Sequence, residues 1–220
     1  MCGIAGFVGP WAPALAGAMT DAIAHRGPDG SGLWSGDRVA LGHRRLSIID
    51  LSDAAAQPMH SNDDRYVLTY NGEIYNFRDL RRELEQAGTV FRTQSDTEVL
   101  LELFARHGLD CVRRLNGIFA FAVWDRRERT LSLARDHLGV KPLYYATLPQ
   151  GFLFASELKA LTLCPDLQRD IDAGVVADHL GFLWTAGDAT MLRAVKKLRP
   201  GCTLTVTAEG RVSPACYYRT

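Results

Sequence analysis

The stretch Phe119-Ala120-Phe121-Ala122-Val123-Trp124 decides the fold class. Large and small side chains alternate with the period of a strand, and none is charged. Such a strand is buried on both faces, and its small side leaves room for a neighbouring layer. It therefore needs partners. Working outward, β-prone runs at Ile4–Val8, Val39–Leu41, Tyr66–Tyr70, Thr130–Ala134, Leu143–Ala146 and Phe152–Ala155 lie between Gly, Asp and Pro punctuation and read as strands. Phe119, Phe121, Trp124, Leu143 and Tyr144 are the expected core.

Helical patterns are fewer. After Asn76, the apolar residues Phe77, Leu80 and Leu84 fall on one face and Gly88 closes the segment. A second helix opens at Ser95 with Glu98 as a capping box, buries Val99, Leu100, Leu103 and Phe104, and stops at Gly108. Weaker patterns cover Pro13–Ala24 and Asp172–Leu183, and the segments Thr203–Val206 and Arg211–Tyr218 flank a turn at Glu209-Gly210 as a hairpin. Without repeats or a flexible linker, residues 1–220 read as one α+β domain.

Twenty-five basic residues balance twenty-five acidic ones without forming a stripe, which argues against nucleic acid and anionic membrane as partners. No run of apolar residues is long enough to span a bilayer and no secretory leader is visible, so a cytoplasmic location is expected. The histidines His25, His43, His60, His107, His137 and His179 show no metal spacing, and no metal site is expected. Five cysteines without a CxxC pair suggest neither a disulfide framework nor zinc, so Cys111, Cys164, Cys202 and Cys216 read as small buried hydrophobes.

Cys2 differs because Met1 before a small residue is commonly trimmed. A mature chain beginning at Cys2 carries a thiol and a free amine on one residue. With pKa values near ~8.5 and ~7.7–8.0, the amine can accept the thiol's proton at neutral pH. One residue then supplies nucleophile and base. Gly3 leaves space beside the thiol or merely starts a strand.

Nine blocks occur in order: MCGIAGFVG at the start, HRGPDGSG (25–32), GHRRLSIIDLS (42–52), QPM (57–59), NGEIYN (71–76), SDTEVLL (95–101), FAFAVWD (119–125), RDHLGVKPLYY (135–145) and FASELKAL (154–161). Together they closely resemble the N-terminal glutaminase domain of glutamine-dependent asparagine synthetases, a class II amidotransferase of the N-terminal-nucleophile type. The likeness is strong to about residue 162 and looser beyond. It implies a four-layer αββα sandwich and release of ammonia from glutamine through a thioester on Cys2.

Residue by residue, the resemblance assigns the substrate's carboxylate to Arg45, whose planar fork suits two oxygens. It assigns the ammonium to Asp96 and Glu73, the pocket wall to Leu46, Ser47, Ile48 and Ile49, and the oxyanion hole to the Asn71 amide and the Gly72 N–H. Arg135, Asp136, Lys141 and Glu157 read as scaffold or inter-domain contacts. The glutaminase half implies no cofactor. ATP and magnesium belong to a C-terminal ATP-pyrophosphatase synthetase domain, in cis or trans, whose Gly/Ser-rich loop does not occur in these residues, and a homodimer is possible. Without the resemblance, Asn71-Gly72 reads as a type I′ turn between a strand and a helix, Asp96 as a first-turn acid and Arg45 as a surface charge. A catalytically silent module and a different amide substrate are the competing readings.

Overall fold

The computed structural model describes residues 1–185 and 187–219. Among them, twelve strands form two sheets: β1 (Gly3–Val8), β2 (Gly30–Gly36), β3 (Val39–Arg45), β4 (Met59–His60), β5 (Tyr66–Ile74), β6 (Gly117–Asp125), β7 (Thr130–Arg135), β8 (Tyr144–Leu148), β9 (Gly151–Ala155), β10 (Lys196–Lys197), β11 (Cys202–Thr207) and β12 (Val212–Cys216). One sheet runs β10-β8-β9-β1-β3-β2 and the other β12-β11-β7-β6-β5-β4. Neighbouring strands in both are antiparallel.

The alternation in β6 divides its side chains between two cores. Phe119, Phe121 and Val123 pack under the helices α2 (Phe77–Gln86) and α3 (Asp96–His107), where Phe121 meets Phe104 edge-on at 6.4 Å. Ala120, Ala122 and Trp124 face the other sheet and join Ile4, Val8, Leu41 and Phe154. A third cluster seals the outer face of the first sheet, where Ala5 and Phe7 of β1 meet Ala16, Met19, Ala160 and Leu161 from the helices α1 (Pro13–Ala22) and α4 (Leu158–Leu161). Three stacked apolar seams make four layers, the αββα sandwich the resemblance implies. The parity of β1 turns Ile4 inward between the sheets, and Cys2 continues that parity; in β5 the same rule turns Val67, Thr69 and Asn71 inward and Leu68 and Tyr70 towards α3.

Five readings need correction. Asn71-Gly72 is not a turn: β5 runs on to Ile74, pairing Asn71 with Ala120 and Gly72 with Phe119. A side chain at Gly72 would lie 2.5 Å from the Ile118 carbonyl oxygen and from the Tyr70 ring, so glycine is there to let strands close up. The capping box is half-formed: Ser95 Oγ accepts the Glu98 N–H at 3.2 Å, but the Glu98 carboxylate turns to Arg92 N, Thr93 N and Thr93 Oγ1. The Ser95 N–H goes to Thr93 Oγ1 instead. Cys202 and Cys216 are not separate buried hydrophobes, because the β11–β12 register sets them opposite each other and they form a disulfide. Cys111 and Cys164 are free and buried. At Gly3 the substrate half of the reading falls and the strand-start half holds: β1 begins there, and Ile23 and the Arg26 stem lie 2.8 and 3.3 Å from where a Cβ would sit. Tyr144, finally, is half-buried at the edge of the third seam.

The helix α5 (Ala173–Phe182) forms where expected and is capped by Asp172, which accepts N–H bonds from Gly174 and Val175. It buries none of its residues. No helix among the described residues is long and apolar enough to cross a membrane.

Candidate active site

Cys2 precedes β1 at one end of the space between the sheets, and Asn71 enters that space from β5. Between them lies a cavity of about 130 Å³ lined by Cys2, Arg45, Leu46, Ser47, Ile48, Ile49, Asn71, Gly72, Glu73 and Asp96, so all the residues singled out from the sequence converge on one place. Gln57, Tyr70 and Lys141 line it too, as does Met1.

The Cys2 thiol is held by the loop after β3, with the Leu46 N–H donating to Sγ at 3.4 Å and Sγ donating to the Leu46 carbonyl at 3.6 Å. Arg26 Nε donates to the Cys2 carbonyl oxygen at 2.9 Å, and Arg26 Nη1 is paired with Glu157 at 3.0 Å. Burial pushes the thiol above its ordinary pKa, while the Leu46 N–H, the chain's amino group and Lys141 pull it down and Asp96 opposes them.

Asn71 is almost fully buried, and its Nδ2 has no hydrogen-bond partner. An orphan donor of this kind is costly unless something occupies the space before it. Arg45 uses two of its donors on carbonyls of its own loop, Nη1 on Ser52 at 2.9 Å and Nη2 on Asp50 at 2.5 Å. Both partners are backbone carbonyl oxygens, so the guanidinium makes no direct ion pair among the described residues.

Asp96 opens α3 and is buried, with Oδ2 accepting from Tyr70 Oη at 2.8 Å and from the Ile74 N–H at 3.1 Å. Burial raises its pKa, the two donors lower it and Glu73 raises it. Tyr70 was invisible as a site residue because it sits in an apolar run. Its N–H donates to Gln57 Oε1 at 2.6 Å, and Gln57 Nε2 donates to Thr97 Oγ1 at 3.3 Å, so one tyrosine ties β5 both to the cis Gln57–Pro58 turn and to α3.

His43 Nε2 donates to the Tyr70 carbonyl oxygen, 3.1 Å away, and burial drives its pKa down to about 4. It is a neutral core residue. Among the described residues no group of three or more His, Cys, Asp or Glu is placed to hold a metal ion.

A thiol at the head of one sheet thus faces an amide donor from the other and a buried carboxylate at the start of α3, in a fold of the class II amidotransferase type. The chain belongs to the glutamine amidotransferase domain family, whose model matches residues 1–218. It is 42% identical over 195 residues to asparagine synthetase (glutamine-hydrolyzing) 3 of Bacillus subtilis, an alignment covering 87% of this chain and 32% of that protein. Asparagine synthetase (glutamine-hydrolyzing) 1 of the same organism is 38% identical over 201 residues, covering 91% and 32%. The chain thus spans about a third of the length of these relatives. The glutamine phosphoribosylpyrophosphate amidotransferase of Bacillus subtilis shares the fold, with a TM-score of 0.76 at 24% identity over 100% of this chain and 50% of that one.

Proposed function

We propose that this domain hydrolyses L-glutamine to L-glutamate and ammonia, with Cys2 as nucleophile once Met1 has been removed. The observation that carries the reading is the unpartnered Asn71 Nδ2 in the cavity that holds the Cys2 sulfur. While Met1 is attached, the Cys2 nitrogen is an amide and cannot take a proton. Freed, it accepts the thiol proton as sulfur attacks the side-chain carbonyl of glutamine. The oxyanion forms between Asn71 Nδ2 and the Gly72 N–H, and one such donor is worth about 2.7–4 kcal/mol in the transition state. The nitrogen leaves as ammonia with the proton returned by the amine, and water then cleaves the γ-glutamyl thioester. Arg45 grips the α-carboxylate, Asp96 and Glu73 hold the α-ammonium, and Leu46, Ser47, Ile48 and Ile49 form the wall.

The relatives carry names that join glutamine hydrolysis to asparagine synthesis. This supports delivery of ammonia to a synthetase-type domain, in cis or trans, that holds ATP and magnesium, with residues 1–220 as the glutaminase unit. Asparagine is the default product of that assembly, and a homodimer and a cytoplasmic setting belong to the same proposal.

Glutamate release by wild type and Cys2→Ala, with intact-mass measurement, tests the reading. Loss of about 10³-fold or more in the variant and absence of Met1 from active protein are expected. An active Cys2→Ala protein, or active material that retains Met1 throughout, overturns it.

A further inference from the structure

Lys141 combines features that a scaffold residue has no need of. It is only 8% exposed. Among the described residues its ammonium makes no hydrogen bond and no ion pair, and it lines the cavity that contains Cys2. Its backbone is fixed firmly. The Asp136 carboxylate accepts the N–H groups of Phe119, Leu138, Val140 and Lys141 at 3.0–3.2 Å, and Arg135 Nε donates to the Lys141 carbonyl at 2.7 Å. The loop is wound around Asp136, and the lysine is delivered to the cavity wall by that winding. Its stem is buried while its ammonium lines the cavity with no direct ion pair, under the influence of Cys2, Asp136 and Glu73, and proteins keep such a cation where it meets charge during function.

The charged groups about the thiol define what it meets. Glu73 stands on β5 and Asp96 on α3, Asp50 and Arg45 on the loop side, Tyr70 behind Asp96, and the Met1 amine and Arg26 at the chain's start; His43 is neutral. Arg45 is tied to its own loop and Arg26 to Glu157 and the Cys2 carbonyl, so Lys141 is the cavity-lining side-chain cation without a bonded partner among the described residues.

We propose that Lys141 is a positioning residue of the reaction, an unpaired cation whose field favours negative charge on the Cys2 sulfur before attack. The proposal rests on Cys2 being the nucleophile. Lys141 keeps its proton throughout; the thiol proton goes to the Cys2 amine. Asp96 and burial disfavour the thiolate, and Lys141 together with the Leu46 N–H offsets them.

The test is the pH dependence of iodoacetamide alkylation at Cys2 in Met1-free protein, followed by peptide mass so that Cys111 and Cys164 do not contribute. In Lys141→Met the profile moves to higher pH and the rate at pH 7 falls roughly three- to tenfold, while Lys141→Arg stays near wild type. For glutamate release, kcat falls with KM little changed. Lys141→Gln, which keeps a polar head on a similar stem, shifts the profile the same way and stands if Lys141→Met folds poorly. A Lys141→Met or Lys141→Gln profile superimposed on wild type, or an arginine variant shifted as far as the methionine one, overturns the proposal. Alkylation needs no glutamine, so the two readings fail separately: an active Cys2→Ala protein sinks the function, and an unmoved profile with inactive Cys2→Ala sinks only the role of Lys141.

Discussion

The helices α3 and α5 begin alike and end differently. Ser95 caps α3 and Asp172 caps α5, each through a side-chain oxygen on the first free N–H groups. Yet α3 buries Asp96, Thr97, Glu98, Val99, Leu100, Leu101, Leu103 and Phe104, whereas α5 buries nothing and leaves Leu180 and Phe182 to solvent. Caps fix where a helix starts, but packing supplies most of its stability. A helix can therefore be equally legible and far less consequential.

The contrast is broken or sharpened by substitutions along the two helices. Asp96→Asn should lower kcat/KM for glutamine about 30-fold or more by removing the anion proposed for the ammonium group. Because the folded-state pKa of Asp96 is raised by burial, its charge opposes folding above that pKa and ceases to do so as pH falls through it. The variant should therefore melt no lower than wild type at pH 7.5, with any advantage closing in acid; a large loss of stability would show that the carboxylate is structural. Leu100→Ala, at a fully buried position, should cost about 2–5 kcal/mol in urea unfolding.

His43 supplies a comparably large effect on the inner face of β3. Its pKa is near 4 in the fold, against about 6.5 for an unperturbed histidine. Between these values the unfolded chain takes up a proton that the folded one refuses. The contribution is present above pH ~6.5 and is lost as pH falls towards 4, up to about 3 kcal/mol, and His43→Gln should flatten that part of the stability profile. The smallest effect is expected at Leu180→Ala, within about 0.5 kcal/mol; a cost near that of Leu100→Ala would mean α5 is packed after all.

How much the sequence revealed follows the same division between local and long-range causes. Alternation in Phe119–Trp124 is local and located the central strand and both of its cores. The tail hairpin was equally plain, but the pairing of Cys202 with Cys216 depends on strand register and was not. Asn71-Gly72 carries the composition of a turn, and only pairing with Ala120 and Phe119, far along the chain, keeps it extended. The edge strand β2 was hidden because glycine and serine in GSGLWSG resemble loop composition. In the site, Cys2, Arg45, Asn71 and Asp96 were marked by motif. Tyr70 lies outside the motifs, and Gln57 and Lys141 lie inside QPM and RDHLGVKPLYY without a site role read for them, since their importance arises from what stands next to them in space.

The sulfur and the amide donor ride on different sheets, so their separation is gauged by whatever keeps those sheets apart. Ala120 lies opposite Asn71 in the ladder, and Ala120 and Ala122 act as thin shims against Ile4, Leu41 and Phe154. A single extra methyl group at these alanines, well away from glutamine, would open the jaws of the site like a caliper and detune its chemistry while every reacting residue remained in place.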